Sequence, residues 1–446
     1  MREEDFARVI AEWRTWRPPA MVERELRLPT SPSYVVALAG PRQAGKTYRM
    51  FQLVEELLRS GVPREKVLYV NFEHERLRGL DANDLEDMLK EYYRIFRPED
   101  VPTSISMPTP IYLILDEVQL VRDWDRWVRR ASDSGKYRIY VTGSTSKMTS
   151  REVADSLRGR SVSYTLFPFS FREFLRARGA GVPDLGVLPY LEERGRMLGL
   201  LEEYLEWGGF PRAVLAADAE ERKRILNAHY EAIFYRDLVD RCKLDPELLD
   251  AALSAVASSP AGLLSASRLC NYVKSLGLRC GKATLLKYIE CARQSYLLLL
   301  SEIQSPSVRN RRQYPRKAYV VDNGIVTARF PDASENLGAL MENAVAVELA
   351  RRGFPLRYWR EYGSREGREV DFVLADGRRV LRLIQVTRAG ARSEVREREL
   401  RALELASEEL GCNDALVITW DYAGDEALGD LRVRYVPLWA WLLEGQ

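Results

Sequence analysis

The chain has 446 residues, of which 46% are hydrophobic and 30% are charged, a composition typical of a globular protein with about two to four domains. The formal net charge is only +2, so the overall balance indicates no particular class of partner. The five cysteines form no C-x-x-C pair and only two histidines are present. These numbers argue against a disulfide framework, a zinc site and a Ser-His triad.

Membrane and export signals are not evident in the sequence. Apolar runs stay below the roughly 18 residues that a membrane-spanning helix needs, and the first residues, MREEDFARVI, lack a signal-peptide pattern. We therefore expect a soluble, cytoplasmic protein with no membrane partner.

Residues 1–30 predict an N-terminal helical arm. Its apolar residues recur at helical spacing before two consecutive prolines end the pattern, and they are Phe6, Val9, Ile10 and Trp13. We expect this arm to pack against the domain that follows.

A phosphate-binding loop follows the arm. Residues 34–38 form an apolar run that predicts a buried strand, and a helical pattern that ends at Gly61 comes after the loop. Between them the pattern G-x-x-x-x-G-K-[ST] is matched by Gly40, Pro41, Arg42, Gln43, Ala44, Gly45, Lys46 and Thr47. The glycines allow a tight turn whose amides point at a phosphate, Lys46 would reach the β/γ-oxygens of ATP, and Thr47 would hold Mg²⁺.

Further strands alternate with helices and predict an α/β fold with a parallel sheet covered on both faces. Residues 67–75 and 138–146 read as strands, and an apolar strand from residue 111 ends in Asp116 and Glu117. The carboxyl ends of parallel strands meet at the ligand crevice. We therefore expect Asp116 to hold the Mg²⁺ of ATP and Glu117 to polarise the attacking water. Ser144, at the end of the next strand, is a candidate sensor of the γ-phosphate.

The stretch SLRGR offers two arginines, Arg158 and Arg160. An arginine supplied by a neighbouring subunit can complete a phosphoryl-transfer site, which makes a homo-oligomer a candidate assembly. We favour Arg160 for this role, and a structural or solvated arginine is the alternative.

The motifs GPRQAGKT, NFEHERL, ILDEVQ, VTGSTS, SLRGR, FPFSFREFL and GGFP occur in this order and resemble those of a large family of prokaryotic, mainly archaeal, AAA+ ATPases. Members of that family carry a winged helix and a C-terminal domain of the PD-(D/E)XK nuclease type. The resemblance implies an AAA+ core with ATP and Mg²⁺ as cofactors and a role linked to DNA. The predicted organisation is an N-terminal arm (1–30), a P-loop AAA+ core (31–180), a helical lid (181–255), a winged helix (256–330) and a nuclease-like domain (331–446).

The predicted winged helix is a basic island in a nearly neutral chain. Residues 256–320 contain 11 Lys and Arg against Glu290 and Glu302, and the order of the predicted elements is helix, turn, helix and a two-stranded wing. This charge favours contacts with the phosphates of double-stranded DNA. The candidate contacts are Lys282, Lys287, Arg309, Arg311 and Arg312. The alternative is a winged helix that packs only against neighbouring domains.

The C-terminal domain matches the nuclease pattern only in part. The resemblance implies a metal site in which Glu342 and Asp371 match, but the acid-x-Lys element reads Gln385-Val386-Thr387. Gln385 still offers an oxygen, whereas Thr387 cannot replace an ammonium group; Arg388 or Arg398 could do so in space. Residues 331–446 carry 16 Arg against 21 Asp and Glu, which disfavours DNA cleavage. We therefore expect impaired hydrolysis and a nuclease-derived fold used for docking or assembly.

These observations predict an Mg²⁺-dependent ATPase that couples its nucleotide state to DNA binding or remodelling. A slow ATP/ADP switch or scaffold without motor action is the first alternative. An ATP-regulated DNA nuclease is the second.

Overall fold

The computed structural model describes residues 2–99, 110–143, 156–182, 191–257, 261–305, 307, 311, 314–330, 336–361 and 367–444. Ser144, Arg309 and Arg312 lie outside the described residues. The chain divides into two compact units, residues 1–167 and 168–446. Among the described residues, none of the helices combines the length and the hydrophobicity that a membrane crossing requires.

The first unit is built around a parallel sheet, as predicted. The elements in chain order are α1 (Arg2–Thr15), β1 (Val35–Ala39), α2 (Lys46–Arg59), β2 (Val67–Asn71), α3 (Asp84–Phe96), β3 (Ile111–Asp116), α4 (Trp124–Asp133), β4 (Tyr137–Thr142) and β5 (Ser161–Thr165). The five strands have the order β2-β3-β4-β1-β5, and every neighbouring pair is parallel. The α/β prediction with a parallel sheet is confirmed.

Apolar side chains explain why these segments fold as they do. All residues of β1 and β3 are buried, which is typical of central parallel strands covered on both faces. The predicted apolar face of α1 is buried as a whole, and the indole of Trp13 donates to the carbonyl of Val67 at 2.8 Å. The arm therefore forms part of the core of this unit.

The register of the sheet puts the ends of its central strands side by side. β1 lies between β4 and β5, and β3 lies between β2 and β4. Leu38 on β1 is in register with Thr142, while Asp116 on β3 is in register with Asn71. The loop after β1 and the acidic end of β3 consequently lie at the same edge of the sheet.

The second unit is mixed. Its first part contains α5 (Phe171–Ala177), α6 (Leu191–Trp207), α7 (Pro211–Val214), α8 (Ala219–Ala232), a π-helical segment (Ile233–Asp240), α9 (Pro246–Ala257), β6 (Leu263–Leu264), α10 (Ala266–Ser275), α11 (Lys282–Gln294), β7 (Leu298–Ile303) and β8 (Arg316–Val320). The rest contains α12 (Asn323–Arg329), α13 (Leu337–Arg351), β9 (Arg357–Arg360), β10 (Glu369–Val370), β11 (Phe372–Asp376), β12 (Arg379–Val386), α14 (Glu397–Leu410), β13 (Asp414–Thr419), β14 (Gly424–Leu428), β15 (Leu431–Pro437) and α15 (Leu438–Leu443).

Two sheets organise this unit. One has the order β10-β9-β7-β8-β6, in which β8 pairs antiparallel with both β6 and β7, and β7 pairs parallel with β9. The other has the order β11-β12-β13-β15-β14. The helix–turn–helix and strand pair expected within residues 256–330 thus correspond to α10, α11, β7 and β8.

Candidate functional site

The loop after β1 has the backbone of a tight phosphate-binding turn. Gly40 has φ 144°, and a Cβ atom built on it would lie 2.2 Å from the carbonyl oxygen of Leu166. Gly45 has φ 96° and caps the amino end of α2. These two positions accept only glycine without strain. The loop therefore runs directly into a helix amino terminus, whose free amides and dipole favour an anion.

Lys46 lies inside this loop. Its side chain is almost fully buried, and Nζ donates to the carbonyl oxygens of Gly40 at 3.1 Å and Pro41 at 2.9 Å. The backbone of the loop thus holds the ammonium group at the place where a bound phosphate is expected.

Asp116 adjoins the loop at the end of β3. The carboxylate is fully buried, and Oδ2 accepts from Thr47 Oγ1 at 2.7 Å and from the hydroxyl of Tyr69 at 2.8 Å. Oδ1 accepts from the hydroxyl of Thr142. Burial raises the pKa of Asp116, and these three hydrogen bonds oppose that rise. Burial, with the nearby Asp116 carboxylate, also raises the pKa of Tyr69 well above its usual value, so that the phenol remains a donor.

The donor set around Thr47 fits a magnesium ion. Because the Thr47 hydroxyl gives its hydrogen to Asp116, its oxygen keeps lone pairs that can face a cation on the side of the loop. Mg²⁺ prefers oxygen ligands, usually one or two from the protein, with water and phosphate oxygens completing the octahedron. Thr47 and Asp116 would hold the ion, which would neutralise charge on the phosphates.

Glu117 is held in an uncommon backbone conformation. Its φ is 54°, in the left-handed region that non-glycine residues rarely adopt. Its amide donates to Thr142 Oγ1 at 3.0 Å, and its carboxylate accepts from the side chain of Gln119. Strained residues of this kind are concentrated at functional sites, where surrounding contacts fix the side chain in position.

Two residues that sequence reasoning missed contact Asp116 and Glu117. Thr142 is fully buried and links Asp116 to the amide of Glu117, and Tyr69 reaches Asp116 from β2. A polar residue at the carboxyl end of a buried strand was the available signal for Thr142. Tyr69 gave no signal, because a tyrosine in a strand is common.

A third unpredicted residue, Arg24, supports the outer side of the loop. It is buried, and its guanidinium donates to the carbonyl of Ala44 at 2.7 Å and to that of Phe167 at 2.6 Å. Its backbone amide donates to the side chain of Gln52 on α2 at 3.3 Å. The N-terminal arm therefore fixes the loop from behind.

Other predicted residues of this site are placed as follows. Arg42 lies 4.0 Å from Glu73, and Gln43 is exposed with φ 64°. Arg160 precedes β5 and pairs with Asp133 at 2.6 Å, with both side chains about half exposed. Its carbonyl accepts from the amide of Val35, which begins β1. Arg160 is thus about 16 Å, the length of a five-residue strand, from the phosphate loop of its own chain.

The candidate DNA contacts that the structure describes differ in exposure. Lys282, the first residue of α11, and Lys287 are exposed. Arg311 is half-buried, and its guanidinium donates to the carbonyl of Ser305 at 2.7 Å. Exposed basic residues on and beside the preceding helix are Arg268, Lys274 and Arg279.

The acidic residues of the C-terminal domain meet around a lysine. Lys317 Nζ, on β8, lies 2.6 Å from Glu342 Oε1, 2.8 Å from Glu369 Oε1 and 3.1 Å from Asp371 Oδ1. Gln385 donates to Asp371 Oδ2 at 2.7 Å. An ammonium group, that of Lys317, thus lies among these carboxylates, and Arg388 lines the cavity beside them. Sequence reasoning missed Lys317 because it precedes Asp371 by more than fifty residues.

The cluster lies beside a polar cavity of about 670 Å³. Burial and the neighbouring Asp371 raise the pKa of Glu342 to about 8. Burial lowers the pKa of Lys317, but attraction by the surrounding carboxylates outweighs it, and the net pKa is well above the usual value. Across the part of the chain that the structure describes, no three His, Cys, Asp or Glu side chains are arranged to hold a metal ion.

Comparisons with known proteins find an AAA domain over the phosphate loop. A family model for AAA domains (AAA_14) matches residues 32–175, and two domains of unknown function match residues 198–335 (DUF8612) and 337–441 (DUF4143). The chain is similar to a Walker-type ATPase structure of Pyrococcus abyssi, with 15% identity, a TM-score of 0.43, and coverage of 74% of this chain and 95% of that one.

Two relatives extend over most of the chain. A protein of Haemophilus influenzae is 26% identical over 343 residues, which cover 76% of this chain and 79% of that protein. MJ1544 of Methanocaldococcus jannaschii is 30% identical over 430 residues, covering 95% of this chain and 91% of that protein. The chain, with its AAA domain over residues 32–175, belongs to the same family as MJ1544.

Proposed function

We propose that this protein is an Mg²⁺-dependent ATPase whose nucleotide state controls its binding to DNA. The observation that carries the proposal is the 2.7 Å hydrogen bond between Thr47 Oγ1 and Asp116 Oδ2. It joins the phosphate loop to the acidic strand end, so that one ion could contact both the triphosphate and the protein. AAA domains are nucleotide-binding domains, and the AAA match covers all these residues.

In the proposed reaction each residue of this site has a separate task. The loop amides and Lys46 would hold the β- and γ-phosphates, and Thr47 and Asp116 would hold Mg²⁺, whose chemistry would be to neutralise charge on the transferred group. Glu117 orients and polarises the attacking water. Tyr69, Thr142 and Arg24 are positioning residues, since they contact Asp116, Glu117 and the loop backbone. Ser144 is proposed as the γ-phosphate sensor.

Arg160 is proposed to act on a neighbouring copy of the chain. Its place at the amino edge of the sheet, opposite the phosphate loop, supports action in trans and not in its own site. The ion pair with Asp133 is a resting contact between half-exposed groups, and such pairs contribute only about 0–1 kcal/mol. Reorienting Arg160 toward a neighbour is therefore inexpensive.

An ATPase assay over a protein dilution series tests this assembly. We expect the rate per subunit to rise with protein concentration and to fall by about 10³-fold or more in Arg160→Ala, since trans arginines contribute about 10³–10⁵. Arg158→Ala is the matched control, because this exposed arginine lies two residues away. A rate per subunit that is independent of concentration and of Arg160 would remove the trans role.

The same assay with duplex DNA separates a motor from the alternative of a slow ATP/ADP switch. A motor should hydrolyse ATP many-fold faster on DNA. A switch should keep its rate and change only its affinity for DNA between the ATP and ADP states.

DNA binding itself is proposed to involve the exposed face of α10 and α11. Described residues there include Lys282 and Lys287, and the surrounding charge is strongly positive. A backbone contact with Lys or Arg releases a counter-ion from the duplex, so affinity should fall linearly with log[salt] by about 0.9 log units for each neutralised phosphate.

A titration of duplex DNA at several salt concentrations checks this prediction. In the double variant Lys282→Ala/Lys287→Ala, the slope should become shallower by up to about 1.8, the contribution of two phosphates. Lys223→Ala on α8, also an exposed lysine, should leave the slope unchanged. A flat plot for the unmodified protein would count decisively against DNA binding.

A further inference from the structure

The carboxylates of the C-terminal domain already have a cation among them. Lys317 is 98% buried, and its ammonium group contacts Glu342, Glu369 and Asp371 at 2.6–3.1 Å. These distances are those of charge-assisted hydrogen bonds. An ammonium group has three hydrogens, so one can be directed at each of the three carboxylates.

Each of these carboxylates also has a second contact with a polar or charged group of the chain. Glu342 Oε1 also accepts from the hydroxyl of Tyr319 at 2.9 Å, and Glu369 Oε2 lies 3.2 Å from Arg360. Asp371 Oδ2 accepts from the amide of Val386 at 3.0 Å as well as from Gln385. The cluster is therefore hydrogen-bonded and largely charge-balanced by the chain itself.

The residues do not fit the metal ion that the resemblance to PD-(D/E)XK domains implies. A divalent ion at Glu342 and Asp371 would have to sit about 2.1 Å from their oxygens, where it would face the positive charge of Lys317. Lys317 lies within the largely buried strand β8 and has almost no exposed surface, so its ammonium group cannot turn into water to make room for the ion. Gln385 Oε1 is buried and accepts no hydrogen bond from the residues that the structure describes, but Gln385 lines the polar cavity, which is large enough to hold water.

We propose that Lys317 is a built-in cation that takes the place of a metal ion in this domain, so that the acidic cluster serves as a structural tie and not as a hydrolytic site. The tie joins β8 to α13 and to the β10–β11 segment. Removing Lys317 leaves three buried carboxylates close to one another without their shared cation. Removing one of the carboxylates leaves the other two still paired with Lys317.

The sharpest consequence is a gain of metal binding when the lysine is lost. In Lys317→Met the side chain keeps its length but not its charge, so the carboxylates should repel one another and lower the unfolding midpoint by roughly 5–10 °C. Mn²⁺ or Mg²⁺ should then bind in the vacated space and recover most of that loss. The unmodified protein should show no such metal response.

The experiment is thermal unfolding and calorimetric titration of nucleotide-free protein in EDTA, Mg²⁺ or Mn²⁺. A site filled at about 100 times its dissociation constant would raise the midpoint by roughly 5–10 °C, which is easily measured. Lys223→Met, an exposed lysine of the same unit, is the control and should change neither stability nor metal response.

A second variant covers the case in which Lys317→Met does not fold. Lys317→Met/Glu342→Gln removes the lysine charge together with one of the carboxyl groups that it contacts, so fewer carboxyl groups are left without a partner and stability should recover without metal. Metal binding by the unmodified protein that disappears in Asp371→Asn would overturn the proposal. So would Mg²⁺- or Mn²⁺-dependent cleavage of plasmid DNA that disappears in the same variant. Neither outcome depends on the ATPase activity.

Discussion

Replacing Lys46 with alanine is expected to abolish useful ATP binding and to leave the fold intact. The ammonium group lies in the loop where the β- and γ-phosphates are expected, in a buried turn where charge interactions are weakly screened. Removing one partner of such a pair costs about 2–5 kcal/mol, which corresponds to a roughly 30- to 5,000-fold weaker affinity. In the nucleotide-free protein Lys46 Nζ donates to the backbone carbonyls of Gly40 and Pro41, and we expect the variant to remain folded without these contacts.

Equilibrium titration with a fluorescent ATP analogue in the presence of Mg²⁺ measures this effect. Lys136→Ala is the matched control, because this exposed lysine belongs to the same unit but lies at the amino end of β4. Circular dichroism verifies that both variants are folded. An affinity of Lys46→Ala within about tenfold of the unmodified protein, less than 1.4 kcal/mol, would contradict the role of this lysine.

The change Glu117→Gln is expected to separate ATP binding from hydrolysis. Glutamine has the same shape and can still accept the hydrogen bond from Gln119, so the left-handed backbone and the contact with Thr142 should persist. It cannot take a proton from water. General-base catalysis contributes about 10²–10⁴-fold, so kcat should fall by that factor while ATP affinity is retained.

Steady-state and single-turnover ATPase rates, measured beside ATP binding, check this prediction. Glu55→Gln on α2 controls for the loss of a surface carboxylate in the same unit, since Glu55 forms a helical ion pair with Arg59. Undiminished turnover in Glu117→Gln would show that another group activates the water.

The phosphate loop and the acidic strand end were predictable because each is encoded in a few consecutive residues. The loop motif fixes glycines, lysine and threonine at set spacings, and a buried run ending in Asp116 identifies the neighbouring strand. Parallel β/α alternation then requires that these ends meet at one edge. The 2.7 Å contact between Thr47 and Asp116 is the physical result.

Residues that act through long-range contacts were not predictable in this way. Three such residues are Tyr69, Arg24 and Lys317. Each is a common residue type in an ordinary local sequence, and its contacts form only when distant segments of the chain pack together. The strand β5 was missed for a different reason. Its sequence SVSYT is short and only partly buried, as expected for a sheet edge, so it carries no continuous apolar run.

The π-helical segment 233–240 shows that the spacing of apolar residues does not distinguish an α-helix from a π-helix. Residues 222–241 predict one long helix, and the structure places a regular helix over Ala219–Ala232 that continues with wider turns. The apolar spacing differs little between these two forms over eight residues. Hydrogen-bond register is therefore decided by the surrounding packing.

The most direct test is a crystal structure of the protein with a non-hydrolysable ATP analogue and Mg²⁺. We predict that Lys46 Nζ lies about 3 Å from a β- or γ-phosphate oxygen and that Thr47 Oγ1 coordinates Mg²⁺ at about 2.1 Å, with Asp116 holding the same ion. A nucleotide bound elsewhere in the chain, or a triphosphate that lies outside the loop between Gly40 and Thr47, would contradict the account.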